Sequence, residues 1–199
     1  MEAKLNAARE LPLDVLRAAY RDGWFPMGER GTRLLEWFSP DPRGILPLDA
    51  VHVPARLGRR WRAGRFEIRV DAAFPAVMRA CAERDDTWIS DVILESYQAL
   101  HQAGDAHSVE CWREGRLVGG LYGVALGGAF FGESMFHVET DASKVALVAL
   151  VERLRDRGFL LLDLQWVTPH LAQFGAVNVR RGAYLRLLDA ALARDCRFV

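Results

Sequence analysis

The chain has 199 residues, of which 51% are hydrophobic and 26% charged, and its 26 basic and 26 acidic side chains cancel to zero net charge. This composition excludes a uniformly basic nucleic-acid binder, a disordered tail, a collagen and a coiled coil for the chain as a whole. No apolar run approaches the ~18 residues that a membrane-spanning helix needs, and Cys81, Cys111 and Cys196 form an odd set with no CxxC, so neither a disulfide framework nor a metal site is expected.

Met1 to Glu10 carries charges and lacks the apolar segment of a signal peptide, which sets the expectation of a cytoplasmic protein. Leu13 to Tyr20 has helical spacing behind Pro12, and Gly23 to Gly28 ends it. Prolines at 40 and 42 force the Trp37 to Arg43 stretch into an extended, turning backbone. Ile45 to Leu48 and Val51 to Val53 read as short strands. A basic helix near Arg56 to Ala63 runs into a strand at Phe66 to Val70, and helices follow at Phe74 to Glu83 and Ser90 to Ala103, the latter with Ser90 as N-cap and Gly104 as stop. The period then changes to two. Ser108 to Arg113, Leu117 to Val124 and Ala129 to Phe136 form an antiparallel meander with tight turns. A helix to Arg157 places Leu147, Leu150, Val151 and Leu154 on one face. A buried strand (Phe159 to Gln165), a short helix (Pro169 to Gln173) and a last helix (Tyr184 to Ala193) complete the chain. This order implies an α+β domain with a partly antiparallel sheet, preceded by a proline-rich lobe.

Few segments carry chemistry. Gly132-Glu133-Ser134-Met135-Phe136 has four positions of a nucleophile elbow, but Phe136 replaces the closing glycine. It reads better as a strand with Phe131, Glu133 and Met135 on one face, where Glu133 is either in a structural ion pair or in contact with a ligand. His107, His137 and His170 lie far apart without a metal-binding spacing, and Cys111 has no base beside it in sequence, so all four read as structural. No phosphate-cradling GxGxxG or GxxxxGK[ST] occurs. In Phe159-Leu-Leu-Leu-Asp163-Leu-Gln165, alternation puts Asp163 and Gln165 on one face and Leu162 and Leu164 on the other. Polar groups ending an apolar strand are either a hydrogen-bonded pair or functional. Arg56, Arg59, Arg60, Arg62, Arg65 and Arg69 make a basic run offset only by Glu67, either a solvated face or a phosphate-binding surface. Trp24, Phe25, Trp37, Phe38 and Trp88 lie at turns and helix boundaries, where exposed aromatics stack unpaired bases for about 1–3 kcal/mol each.

Taken together, GWFPMG (Gly23 to Gly28), FSPDPRGILPLD (Phe38 to Asp49), the stretch Thr87 to Phe136 ending in FGESMF, ASKVAL (Ala142 to Leu147), LLDLQWVTPHLAQFGA (Leu161 to Ala176) and RRGAYL (Arg180 to Leu185) closely resemble the leucyl/phenylalanyl-tRNA–protein transferases. The resemblance covers nearly the whole chain in order. It implies an acetyltransferase-like (GNAT) domain at 66–199 behind a small mixed lobe at 1–65. It also implies that leucyl or phenylalanyl groups, and methionyl less well, move from aminoacyl-tRNA to the N-terminal Arg or Lys of acceptor proteins, marking them for the N-degron pathway. Neither cofactor nor metal is implied, and a monomer is expected. An acyl-CoA acetyltransferase is disfavoured because Phe136 to Ser143 lacks the Q/R-x-x-G-x-G/A loop that cradles a pyrophosphate at a helix N-terminus. A bare RNA-binding module, the other rival, would have no transfer for Gln165→Ala to abolish.

The same resemblance assigns roles. Gln165 and Asp163 are the catalytic pair. Phe38 and Trp88, with Trp37 adjacent, stack on the 3′-terminal adenosine. Leu121, Phe130, Met135, Leu147, Leu150, Leu154 and Leu162 form the pocket for the amino-acid side chain, and Glu133 and Thr168 stand at substrate-contacting positions. Arg56, Arg59, Arg60, Arg62 and Arg65 hold the acceptor stem through its phosphates.

Overall fold

The computed structural model describes residues 2–7 (backbone only), 11–84 and 87–199. The leading segment Met1 to Glu10, read above for targeting, lies partly outside them. Among the described residues, ten strands form two sheets and seven α-helices pack around them. Strands β1 (Glu2–Ala7), β2 (Phe25–Gly28) and β3 (Leu34–Ser39) form a small antiparallel sheet in the order β1-β3-β2. Strand β2 falls where the glycines predict only a helix stop. Its ends are indeed turns, but Phe25 to Gly28 pair with Phe38 to Leu35 between them.

The large sheet has seven strands: β4 (Arg43–Ile45), β5 (Glu67–Val70), β6 (Ala106–Arg113), β7 (Arg116–Leu126), β8 (Ala129–His137), β9 (Leu161–Gln165) and β10 (Val177–Val179). Their order is β10-β4-β9-β8-β7-β6-β5. The β5 to β8 meander follows from its alternation and tight turns. Strand β9 lies parallel to β8, and the connection between them is helix α5 (Ala142–Asp156), as a parallel crossover requires. The remaining neighbours are antiparallel. Among the described residues no helix is long and apolar enough to cross a membrane.

Each face of the large sheet has its own apolar core. Helices α1 (Leu13–Arg21), α3 (Phe74–Ala82), α4 (Asp91–Gln102) and α7 (Arg181–Leu192) contribute to one cluster with Phe131, Tyr122 and Phe25. Helices α2 (Ala55–Arg62) and α5 contribute to the other with Leu121, Phe130 and Leu162. On α5, Leu147, Leu150, Val151 and Leu154 are all buried, each stabilising by roughly 1.5–3 kcal/mol.

Several expectations change for local reasons. Val51 to Val53 is not a strand, because His52 N donates to Phe174 O at 2.9 Å in the loop beyond the short helix α6 (Pro169–Ala172). Ser90 occupies the N-cap position of α4 but makes no cap hydrogen bond. Strand β10 and the first turn of α7 are missed in sequence: three residues are too few to show alternation, and the partner strand β4 is remote in the chain.

Candidate active site

Strands β8 and β9 stay hydrogen-bonded through Phe131 and Asp163, and no pair follows although β8 runs on to His137. Where β8 and β9 part lies a cleft of about 630 Å³ lined by Leu121, Met135, Leu147, Leu150 and Leu162 on its apolar side and by Tyr122, Glu133, Gln165 and Thr168 among its polar groups. Leu147 and Leu150 reach it as adjacent positions on the buried face of α5. Trp166, Leu164, His137 and His170 also line it.

Gln165 ends β9 with φ at +65°. A left-handed conformation at a residue with a side chain costs about 1–3 kcal/mol and persists only where neighbours enforce it. Here Asp163 enforces it: its Oδ1 accepts from Gln165 N at 2.8 Å. The Gln165 side chain is buried in the cleft wall, and its Nε2 has no hydrogen-bond partner among the described residues. Alternation predicts Asp163 and Gln165 side by side on one face. The structure instead joins the Asp163 carboxylate to the backbone of Gln165 and leaves Asp163 out of the cleft lining.

Asp163 is fully buried, and its partner is remote in the chain. Arg43, at the start of β4, is 1% exposed and donates to it from Nε at 2.9 Å and from Nη2 at 2.7 Å. Tyr184 of α7 adds a hydroxyl at 2.6 Å. The guanidinium lies 4.7 Å from the ring centres of both Phe25 and Tyr184 and donates from Nη1 to Gly23 O at 3.0 Å. The next residue must be glycine for steric reasons: a Cβ on Gly44 would sit 2.6 Å from the backbone carbon of Trp166. Burial of a carboxylate here is thus matched by a bidentate cation and further donors.

Glu133 projects from β8 through a bulge. Gly132 pairs with Gly123 and Ser134 with Tyr122, so Glu133 is the extra residue. The bulge breaks the expected Phe131, Glu133, Met135 face: Phe131 packs in the first core, and Met135 turns to the second. Glu133 is in no ion pair among the described residues. Tyr20 donates to its Oε1 at 2.7 Å, and Tyr20 and Tyr97 bond to each other. Burial pushes the Glu133 carboxyl up to about 7, with the Asp163 charge adding to the rise, while the Tyr20 hydrogen bond, Gln165 and Arg43 oppose it. The hydroxyl of Tyr122 is buried in the same wall without a hydrogen-bond partner among the described residues.

A second cleft of about 520 Å³ adjoins the first. Phe38, Met27, Glu29, Glu36 and Thr87 line it, and Trp88 lines both clefts. Phe38 and Trp88 thus come together, whereas Trp37 packs against the first core and lines neither cleft. Phe130 and Leu154 are fully buried in the second core and do not line the cleft. Phe130 stacks on Phe198 with ring centres 5.1 Å apart, one layer behind the pocket wall.

The arginines from α2 to β5 divide into two groups. Arg60 pairs with Asp141, which Lys144 shares, and Arg65 pairs at 3.0 Å with Glu139, which Arg113 shares, so these two arginines are engaged within the protein. Arg69 likewise pairs with Glu67 at 2.8 Å. Arg56, Arg59 and Arg62 are exposed and have no ion pair among the described residues. Cys111 is buried against Ala142 O, and burial pushes its thiol up to about 12, which leaves no nucleophile. His107 is structural, held by Asp71 at 2.7 Å and Gly104 O at 3.1 Å. His137 and His170, also expected to be structural, line the cleft. Among the described residues no group of three His, Cys, Asp or Glu could hold a metal ion.

The family profile described as leucyl/phenylalanyl-tRNA protein transferase matches residues 45–189, and the profile of that family's N-terminal domain matches residues 9–41. A leucyl/phenylalanyl-tRNA–protein transferase of Paramagnetospirillum magneticum is 55% identical over 195 residues, covering 96% of this chain and 93% of that protein. One of Herpetosiphon aurantiacus is 53% identical over 191 residues, covering 96% of this chain and 99% of that protein. Among solved structures, that of L-PGS from Bacillus licheniformis overlaps at 14% identity with a TM-score of 0.44, over 80% of this chain and 55% of that one. With the profile spanning Ile45 to Asp189 and relatives this similar along nearly their full length, the chain belongs to the leucyl/phenylalanyl-tRNA protein transferase family.

Proposed function

We propose that the protein moves leucyl or phenylalanyl groups, and methionyl less well, from aminoacyl-tRNA to the N-terminal Arg or Lys of acceptor proteins in the cytoplasm, marking them for degradation as N-degrons. The carrying observation is the junction of the two clefts at Trp88, with Gln165 in the wall of the apolar one and its Nε2 without a hydrogen-bond partner among the described residues. The 3′-adenosine lies against Phe38 and Trp88. The amino-acid side chain enters between Leu121, Met135, Leu147, Leu150 and Leu162. One methylene decides only about 1–3 kcal/mol in such a pocket, so leucine, phenylalanine and methionine are all accepted.

The ester of an aminoacyl-tRNA is already activated, so the reaction needs neither ATP nor metal. The acceptor's α-amine has a pKa of about 7.7–8.0, so roughly a tenth is neutral at pH 7. Its nitrogen attacks the ester carbon. The C–O bond breaks, and the amine loses a proton as the ribose oxygen gains one. Gln165 cannot titrate. Its carbonyl oxygen accepts from the attacking amine and holds it at the ester, and Glu133, about half ionised at pH 7, adds a negative charge that favours an amine in this wall. Arg56, Arg59 and Arg62 hold the acceptor stem by its phosphates. The protein acts as a monomer, with residues 66–199 forming an acetyltransferase-like (GNAT) catalytic domain and 1–65 a lobe that grips the tRNA end. The parting of parallel strands β8 and β9 beside the cleft supports that reading.

The test mixes purified protein with labelled Phe-tRNA and either a peptide beginning with Arg or one beginning with Gly. Label is expected in the Arg peptide alone. Equal labelling of both peptides removes the acceptor class, and labelling of neither removes the reaction.

A further inference from the structure

We propose that Arg43 is a positioning residue for the transfer, acting through Asp163 on the backbone of Gln165. The proposal rests on the reading that Gln165 contacts the attacking amine.

A carboxylate offers about four acceptor positions, and those of Asp163 are taken. Oδ1 receives Arg43 Nε at 2.9 Å and Gln165 N at 2.8 Å, and Oδ2 receives Arg43 Nη2 at 2.7 Å and Tyr184 OH at 2.6 Å. No position remains for the Gln165 side chain, so Asp163 cannot polarise that amide directly. What it holds is the peptide N–H of a residue whose φ is +65°, and that conformation turns the amide into the cleft wall instead of continuing the strand's alternation. Asp163 is held in turn by Arg43. The guanidinium is clamped between the rings of Phe25 and Tyr184, and its remaining nitrogen donates to Gly23 O. A chain of contacts therefore runs from the β2 strand of the small sheet through Arg43 and Asp163 to Gln165. Lysine keeps the charge of Arg43, but its single ammonium cannot span both carboxylate oxygens and the Gly23 carbonyl or stack between two rings.

The experiment uses the full chain with Arg43→Lys, Gln165→Ala and the double variant. It measures single-turnover transfer to an Arg-initiated peptide, acceptor KM, aminoacyl-tRNA affinity and Tm. Displacing a reacting group by about 1 Å costs on the order of 10²-fold in rate, and Arg43→Lys is expected to lose about that much in the transfer step while KM and tRNA affinity stay within about twofold. In the Gln165→Ala background the same substitution is expected to cost nothing further, because the chain of contacts ends at that side chain. Unchanged transfer in Arg43→Lys overturns the proposal, as does a loss carried by tRNA affinity or an equal loss in both backgrounds. If the lysine variant does not fold, Tyr184→Phe removes one hydroxyl from the same carboxylate. A smaller loss of transfer is then expected, confined to the Gln165 background, and unchanged transfer overturns the proposal. Full activity in Gln165→Ala alone is a separate result: it removes the reading of Gln165.

Discussion

At the residue scale the site depends on a few buried polar side chains, and two of them give direct predictions. Gln165→Ala should cut transfer by more than Arg43→Lys does, to a residual rate that single-turnover measurement still reads, while aminoacyl-tRNA still binds; a fully active variant, measured with labelled Phe-tRNA, would contradict the assigned role. Glu133 carries the pH dependence. Its carboxyl titrates at about 7 against an ordinary 4.5, so the folded chain binds that proton more tightly than the unfolded one. The contribution to stability is whole below about pH 4.5 and is lost as pH rises through 7. Glu133→Gln, which has no charge to lose, should therefore gain on the parent protein by on the order of 3 kcal/mol between acid and mildly alkaline pH. Tm curves across that range check this, and a gap that does not change with pH would contradict it. From the sequence alone, Asp163 and Gln165 stood out because polar groups on an apolar strand must be satisfied. Their partners did not, because Arg43 is 120 residues away and Tyr20 and Tyr97 read as ordinary members of helical apolar stripes. Nothing in the letters announces a left-handed glutamine.

At the element scale, periodicity identified the meander, α5 and β9, and it failed wherever an element is short or irregular. The bulge at Glu133 is one such place. It reverses the alternation beyond it, so that Met135 reaches the cleft together with leucines from the opposite core. Helix α2 is another. Its arginines and the Arg65 that follows it are equivalent in the sequence, but acids of the distant loop between β8 and α5 engage Arg60 and Arg65. The phosphate contacts should therefore come from the exposed Arg56, Arg59 and Arg62. Arg59→Ala combined with Arg62→Ala is expected to weaken tRNA binding and to reduce the slope of log affinity against log salt by about 2. Filter binding over a salt series reads the slope, and an unchanged slope would take α2 off the RNA. Gly44→Ala tests the close approach of β4 to the end of β9. With its Cβ driven against the Trp166 backbone, the variant should lose on the order of 3 kcal/mol in denaturant unfolding, and a stable variant would show that the strands can separate without cost.

At the scale of the whole molecule, the small sheet and the large one are joined where the chemistry is proposed to occur. Phe25 lies against Arg43, and Trp166 at the end of β9 meets Phe25 edge-on at 5.2 Å and Phe38 at 6.0 Å. A ligand filling both clefts should therefore stabilise the entire fold. A non-hydrolysable aminoacyl-adenosine mimic at 100 times its Kd is expected to add about 2.7 kcal/mol, read as a rise in Tm. Adenosine alone at the same concentration should add less, and equal effects would separate the apolar cleft from the site. The sequence showed the family's motifs in order, but it could not show that the two clefts share Trp88. That shared indole bears on how turnover ends. Before the reaction, nucleoside and side chain are one molecule and each strengthens the other's hold, as in any bivalent attachment. When the ester is cut they become two molecules, and neither any longer gains from the other's cleft, so the chemical step itself loosens both the spent RNA, left with its adenosine and phosphate contacts, and the extended protein.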